Sequence, residues 1–271
     1  MKLKYFGTAA AEGFPGMFCQ CDTCMRAKLA GGKNLRTRSQ ALVNDKLLID
    51  LCPDMLMHIY NYGLNVHEIE NILITHCHAD HLLESNLQNA YTRYATLNKE
   101  RTINVYSSGY TIAHIKDINC DRVRCVELFE SKSLTADGIC ITPLAAEHDK
   151  GIQPFIYDLC ELSSGKRLLY AHDTSIFPAQ TWEYMKNKKP YYNFVSLDCT
   201  CAISASSPRH LNFNEAVAVK EKMLNMGVTD GKTVFVLNHF SHNGGATYDE
   251  MVPIAQKQGF LVSYDTMEIE F

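Results

Sequence analysis

His76, Cys77, His78, Ala79, Asp80 and His81 place three imidazoles and a carboxylate within a few residues, directly after the apolar run Ile72-Leu73-Ile74-Thr75. Side chains of these types are ligands for divalent cations. Behind an apolar strand they need partners, because a buried polar group without a hydrogen bond is costly and a buried charge more so. A pair of cations supplies those partners. Residues two apart on an extended strand point the same way, so His76 and His78 can chelate one ion while Asp80 and His81, in the turn that follows, face a second. A His-rich surface loop is the plainer alternative, and the apolar strand leading into the motif argues against it.

Such a site needs strands that stop at a common edge. Short apolar strands fall into two sets, the first over 3–6, 41–43, 46–50, 72–75 and 103–106, the second over 139–144, 154–159, 167–172, 194–198, 233–237 and 261–264. Asn44-Asp45 and Ser163-Ser164-Gly165-Lys166 read as hairpin turns. Helices are predicted over 54–62, 84–96, 180–187, 212–226 and 248–258. The stripe Phe213, Ala216, Val217, Val219, Met223 and Leu224 with Gly227 behind it marks the fourth helix most clearly. Two sets of strands interleaved with helices predict sheets packed together with helices outside. Further ligand types close these strands: Asp50, His148, Asp173 and His239. Asp198 also closes one, as a structural group or a support for a ligand, and Cys199-Thr200-Cys201 follows it toward the mouth of the site.

The chain has 271 residues, 11 cysteines and a formal net charge of −4. That length can bury a large core, and with no linker, charge run or repeat one domain over 1–271 is expected. The slight acidic excess argues against a nucleic-acid surface. The longest apolar stretches have strand length, and Met1 to Phe6 lacks the apolar core of a signal peptide, so a cytoplasmic protein without membrane contact is expected. An odd number of cysteines in a chain this long fits reduced thiols better than a disulfide framework. Cys52, Cys77, Cys120, Cys125, Cys140, Cys160, Cys199 and Cys201 read as small hydrophobes. His58, His67 and His114 read as surface or helix-end groups.

Cys19-Gln20-Cys21-Asp22-Thr23-Cys24 offers three thiols, one ligand short of a closed tetrahedral zinc site. His242, three residues after His239, is the natural fourth. A reduced unpaired cluster, a disulfide with one cysteine over and an iron–sulfur cluster remain alternatives.

Taken in order, Asp50, Thr75-His76-Cys77-His78-Ala79-Asp80-His81, His148, Asp173 and His239 resemble the metallo-β-lactamase superfamily. The resemblance implies an α+β fold, an αβ/βα four-layer sandwich. It implies that His76, His78 and His148 hold one metal, that Asp80, His81 and His239 hold the other, that Asp173 bridges them, and that Asp50 orients a ligand imidazole. The segment Gly7-Thr8-Ala9-Ala10-Ala11-Glu12-Gly13-Phe14-Pro15, the three cysteines and Arg36-Thr37-Arg38-Ser39 are similar to the phosphoribosyl 1,2-cyclic phosphodiesterase branch. That branch carries a structural zinc on three cysteines and a histidine. It also uses a histidine at the start of a late helix, which Arg209-His210-Leu211-Asn212 matches, making His210 the expected acid.

The expected activity is a dinuclear phosphodiesterase acting on a small cyclic or nucleotide-like phosphodiester. Two zinc, manganese or iron ions would supply hydroxide at neutral pH and clamp the phosphate oxygens. Asp80 and Asp173 would serve catalysis through the metals, and Arg93, Lys150 and Arg209 are candidates for binding phosphate. The expected partners are the small substrate and a second copy of the chain in a homodimer. A related coenzyme-biosynthesis protein, a thioester or lactam hydrolase, a transfer-RNA 3′-end nuclease and a non-catalytic metal-binding protein are the alternatives. Ala9 and Ala10 depart from the glycines usual in that opening loop. Glu84 and His172 also depart from the branch pattern, and either is expected to narrow the pocket or add a polar contact.

Overall fold

The computed structural model describes residues 1–91, 93–96, 101–115 and 121–271. Its strands are β1 (Lys2–Gly7), β2 (Gln40–Val43), β3 (Leu47–Ile49), β4 (Asn71–Leu73), β5 (Ile103–Ser108), β6 (Val123–Leu128), β7 (Leu134–Ala136), β8 (Ile139–Ala145), β9 (Phe155–Glu161), β10 (Arg167–Ala171), β11 (Phe194–Asp198), β12 (Val234–Asn238), β13 (Leu261–Val262) and β14 (Glu268–Glu270). The helices are α1 (Asp22–Ala30), α2 (Met55–Tyr62), α3 (Glu84–Tyr91), α4 (Gly109–Ile112), α5 (Ala179–Lys188), α6 (Phe213–Asn225) and α7 (Tyr248–Gln256). They build two seven-stranded sheets, ordered β14-β1-β2-β3-β4-β5-β6 and β13-β12-β11-β10-β9-β8-β7.

Period-two alternation assigns every strand an inner and an outer face. Leu47 and Ile49 of β3 point between the sheets, where they meet Leu168 and Phe194, while Leu48 points outward under α2. In β11, Phe194 faces inward, and Val195 and Leu197 face outward toward α5 and α6. Each sheet therefore has two apolar faces and is covered twice, giving helices, sheet, sheet, helices. This is the expected four-layer sandwich, and each set of strands read from the sequence lies in its own sheet.

Helix α6 shows the local logic. The Asn212 side chain accepts from the Glu215 N–H at 2.9 Å, and the Glu215 carboxylate accepts from the Asn212 N–H at 2.9 Å. This reciprocal cap fixes the start. Ala216, Val219 and Met223 then bury the helix against the second sheet.

Several expectations need correction. The helix expected over 84–96 ends at Tyr91; residues 93–96 are turn and irregular, and Thr92 lies outside the described residues, as does Cys120. The strand expected over 72–75 ends at Leu73, because the Thr75 N–H leaves the ladder to donate to Asp50 Oδ1 at 2.8 Å. Strands β6, β7 and β14 and helices α1 and α4 were not expected. Charged or polar residues interrupt the apolar pattern of the first three, and α1 has few apolar positions. His58 is fully buried, with Nδ1 2.7 Å from Gln40 Oε1 and Nε2 2.7 Å from Thr37 Oγ1. His67 and His114 are exposed, as expected. Among the described residues, no helix is long and apolar enough to cross a membrane.

Candidate metal centre

Six strand ends meet at one edge of the sandwich: Asp50 follows β3, His76 to His81 follow β4, His148 follows β8, Asp173 follows β10, Asp198 ends β11 and His239 follows β12. The carboxyl ends of strands in a parallel array are where α/β sheets place ligands. Asp50, Asp173 and His239 have φ of 67°, 52° and 65°. Left-handed backbone is costly for a residue with a Cβ, and Asp, Asn and His are the types that adopt it most readily. At each of these positions the chain turns sharply off its strand.

The structure brings His76, His78 and His148 together. His76 Nε2 lies 2.9 Å from His78 Nδ1, and His148 Nε2 lies 3.2 Å from the same atom. Three ring nitrogens thus converge. The far nitrogens are held by the protein: His76 Nδ1 lies 3.1 Å from Thr75 Oγ1, His148 Nδ1 3.2 Å from the Arg209 carbonyl, and His78 Nε2 3.5 Å from Asp149. Burial pushes His76 well below the ordinary imidazole range and lowers His148. Both are therefore neutral, with a lone pair to give a cation.

The second group carries charge. His81 Nε2 lies 3.1 Å from Asp80 Oδ2 and 3.0 Å from Asp173 Oδ2, and His239 Nε2 is also 3.0 Å from Asp173 Oδ2. Asp173 Oδ1 is 3.7 Å from His148 Nε2, so this carboxylate reaches toward both groups. Asp50 accepts from His81 Nδ1 at 2.7 Å, which turns Nε2 inward as the resemblance implied. Burial pulls His81 and His239 down, but the surrounding carboxylates, Asp173 foremost, outweigh it and raise both. Burial likewise pushes Asp80 and Asp173 up, and the facing imidazoles, His81 for Asp80 and His239 for Asp173, hold both carboxylates low.

The Nε2 contacts of His81 and His239 are not hydrogen bonds. His81 Nε2, His239 Nε2 and Asp173 Oδ2 are buried and lack a hydrogen-bond partner, although each nitrogen lies 3.0 Å from the carboxylate oxygen. Three orphaned polar atoms aimed at a common point fit a cation between them, since buried polar atoms are otherwise nearly always paired. His76, His78 and His148 form one candidate cation set, Asp80, His81 and His239 another, and Asp173 joins His76 and His81 in a third.

Asp198 was only loosely anticipated, yet it organises this edge. Its Oδ2 accepts from the Asp173 N–H at 2.9 Å and lies 3.1 Å from His210 Nδ1, while Oδ1 accepts from the N–H groups of Thr200 at 2.9 Å and Leu211 at 3.1 Å. Thr200 Oγ1 in turn lies 2.8 Å from His239 Nδ1. The signal was the same one that found Asp173: an acidic residue closing an apolar strand. The His210 ring is 4.9 Å from that of His148. Burial lowers His210, but Asp198 and Asp173 overcome it and hold the imidazole up at about 9, protonated at neutral pH.

A cleft of about 480 Å³ opens over these groups, lined by His78, Asp80, His148, Asp173, His210 and His239 among others. Thr200, Cys201 and Arg209 line it too, whereas Arg93, Lys150, Glu84 and His172 do not. His172 is instead buried, its Nε2 2.7 Å from Ser196 Oγ, which also bonds Tyr5 Oη at 2.6 Å across the two sheets. Its expected effect on the pocket is therefore replaced by a core hydrogen bond. Arg93 and Lys150 are exposed.

Beside the cleft, the Sγ atoms of Cys19 and Cys21 lie 3.5 and 3.4 Å from His242 Nδ1, and Cys24 completes a four-ligand cluster. Cys21 caps α1, accepting from the Cys24 N–H at 3.5 Å. That bond, with lesser help from His242, brings its thiol down to about 6, while burial pushes Cys24 up to about 12. All three are free thiols here.

Residues 45–240 match the family model described as the beta-lactamase superfamily domain. No curated protein matches the chain. Among solved structures, a diphosphatase of the PhnP family superposes with a TM-score of 0.76 at 19% identity, covering 100% of this chain and 96% of that one. Zinc-bound PqqB from Methylobacterium extorquens gives 0.70 at 15% identity and covers 100% of both chains. Human tRNase Z, short form, gives 0.63 at 15% identity, covering 100% of this chain and 99% of that one. At these identities the likeness is one of fold.

Proposed function

The chain belongs to the beta-lactamase superfamily of metal-dependent hydrolases, and from that membership we propose that it is a dinuclear phosphodiesterase acting on a small cyclic or nucleotide-like phosphodiester. The observation that carries this reading is His210: an imidazole that lines the cleft, with Nδ1 3.1 Å from buried Asp198 and its ring 4.9 Å from that of His148. Expelling a ribose alkoxide needs an acid, because that oxygen leaves as a strong base; a thiolate leaves without one. The likeness over the full chain to a PhnP-family diphosphatase supports the same reading.

His76, His78 and His148 would hold one divalent cation and Asp80, His81 and His239 the second, with Asp173 between them; zinc, manganese and iron all suit these donors. When bound, such cations make hydroxide available at neutral pH and offset charge on the non-bridging phosphate oxygens. The chain does the rest. Asp50, Thr75 and Thr200 fix the ring orientations of His81, His76 and His239. Asp198 fixes Nδ1 of His210, which leaves Nε2–H to protonate the departing oxygen. Arg209, half-exposed on the rim, offers a charge to the phosphate. Cys19, Cys21, Cys24 and His242 would hold one structural zinc that ties the N-terminal loop to the turn after His239.

The test is a panel on metal-loaded protein: bis(p-nitrophenyl) phosphate, a 2′,3′-cyclic nucleotide, a ribosyl 1,2-cyclic phosphate, a thioester and a β-lactam. The diesters are expected to exceed the thioester and the lactam by at least about a hundredfold in kcat/KM. A thioester or lactam turned over faster than every diester would reassign the chain within its superfamily.

A further inference from the structure

Met17 and Phe18, at the tip of the cysteine loop, are 75% and 93% exposed. An exposed aromatic and an exposed thioether side by side are costly to leave in water without a purpose. They stand beside the metal cleft. A shallow recess of about 330 Å³ is lined by Ala11, Glu12, Met17, Phe18 and His242, and Ala11 and Glu12 also line the cleft that holds His210 and Asp173. The two spaces share these two residues and so adjoin, with metal ligands lining one and Met17 and Phe18, together with Arg38, lining the other. Glu12 sits at the junction and is itself fixed, accepting from Ser241 Oγ and lying 3.6 Å from His242 Nε2.

Resting on the phosphodiesterase reading above, we propose that the Met17–Phe18 ridge is the platform for the organic half of the substrate, and that this half is a planar aromatic group of the nucleobase kind. A phenyl face and a thioether suit stacking on a planar base and offer no strong hydrogen bond to a bare sugar. The Glu12 carboxylate, shared by the two spaces, suits a hydroxyl donor such as the 5′-hydroxyl that a 2′,3′-cyclic nucleotide keeps. The cysteine cluster gains a second role here: by fixing the loop through His242 and the cap of α1, it sets where Phe18 stands.

Phe18→Ala tests this, because a residue so exposed contributes little to the fold. The readout is the ratio of KM for the methyl riboside 2′,3′-cyclic phosphate, which lacks a base, to KM for 2′,3′-cyclic AMP, measured on metal-loaded enzyme. The base is expected to make this ratio large in the native enzyme, and Phe18→Ala to reduce it at least about fivefold, the low end of what one base–aromatic stack contributes. Leu29→Ala, which removes another exposed apolar side chain of the region but lines neither space, is the control and keeps the ratio. An unchanged ratio in Phe18→Ala overturns the platform, while hydrolysis of both diesters by the native enzyme keeps the phosphodiesterase reading. A dimer that dissociates on Phe18→Ala with the ratio unmoved assigns the ridge to a second copy, and likewise overturns it. Hydrolysis of neither diester removes both readings.

Discussion

Replacing Asp173 by alanine is expected to lower kcat for diester hydrolysis on the order of 10⁴-fold, equivalent to the several kcal/mol that divalent cations supply at a phosphoryl centre. Among the described residues, Asp173 is the one carboxylate in contact range of His81, His148 and His239 together, at 3.0, 3.7 and 3.0 Å. Without it, the two imidazole groups lose the anion that relates them, His239 Nε2 loses its facing charge, and His81 Nε2 keeps only Asp80. Elemental analysis of the variant should show the site cations depleted and the cysteine-bound zinc retained. Circular dichroism should stay native, because Asp173 lies at a strand end rather than in the core between the sheets. Native turnover in this variant would remove Asp173 from the centre.

Replacing His210 by alanine is expected to lower kcat on the order of 10³-fold for a substrate with an alkoxide leaving group, with the metal content unchanged. The size of the effect should depend on the leaving group. A p-nitrophenolate departs readily without a proton, so bis(p-nitrophenyl) phosphate should lose much less than a ribosyl cyclic phosphate. This contrast separates an acid from a residue that merely binds phosphate, which would cost both substrates alike. The position of His210 supports the first role: its Nδ1 is committed to Asp198 at 3.1 Å, and its ring lies against that of His148 inside the cleft. Equal losses on the two diesters would end its assignment as the acid.

Most of the centre was legible in the sequence because strand-end ligands obey a simple rule. Apolar side chains bury a strand, and a polar residue of ligand type at its end has only the sheet edge to occupy; Asp50, His148, Asp173 and His239 were all found that way. The two-residue spacing of His76 and His78 carried their pairing. Asp198 obeyed the same rule, but its importance comes from backbone donors at Asp173, Thr200 and Leu211, far apart or irregular in sequence, which no spacing reveals. His58 was misjudged because its partners, Gln40 and Thr37, belong to another part of the chain. Helix α1 was missed because three of its nine positions face inward and its start is set by a cysteine cap rather than by an apolar stripe. Edge strands β6 and β14 carry charged residues, which hide them from a search for apolar runs and are what protects an exposed edge.

Titration of the metal-stripped protein with a divalent cation, following hydrolysis of bis(p-nitrophenyl) phosphate while the cysteine-bound zinc is counted separately, tests the central claim most directly. The expected result is activity that climbs from background and reaches its plateau at two equivalents per chain beyond that zinc. A plateau at one equivalent would contradict the dinuclear centre, and no hydrolysis at any loading would contradict the phosphodiesterase itself.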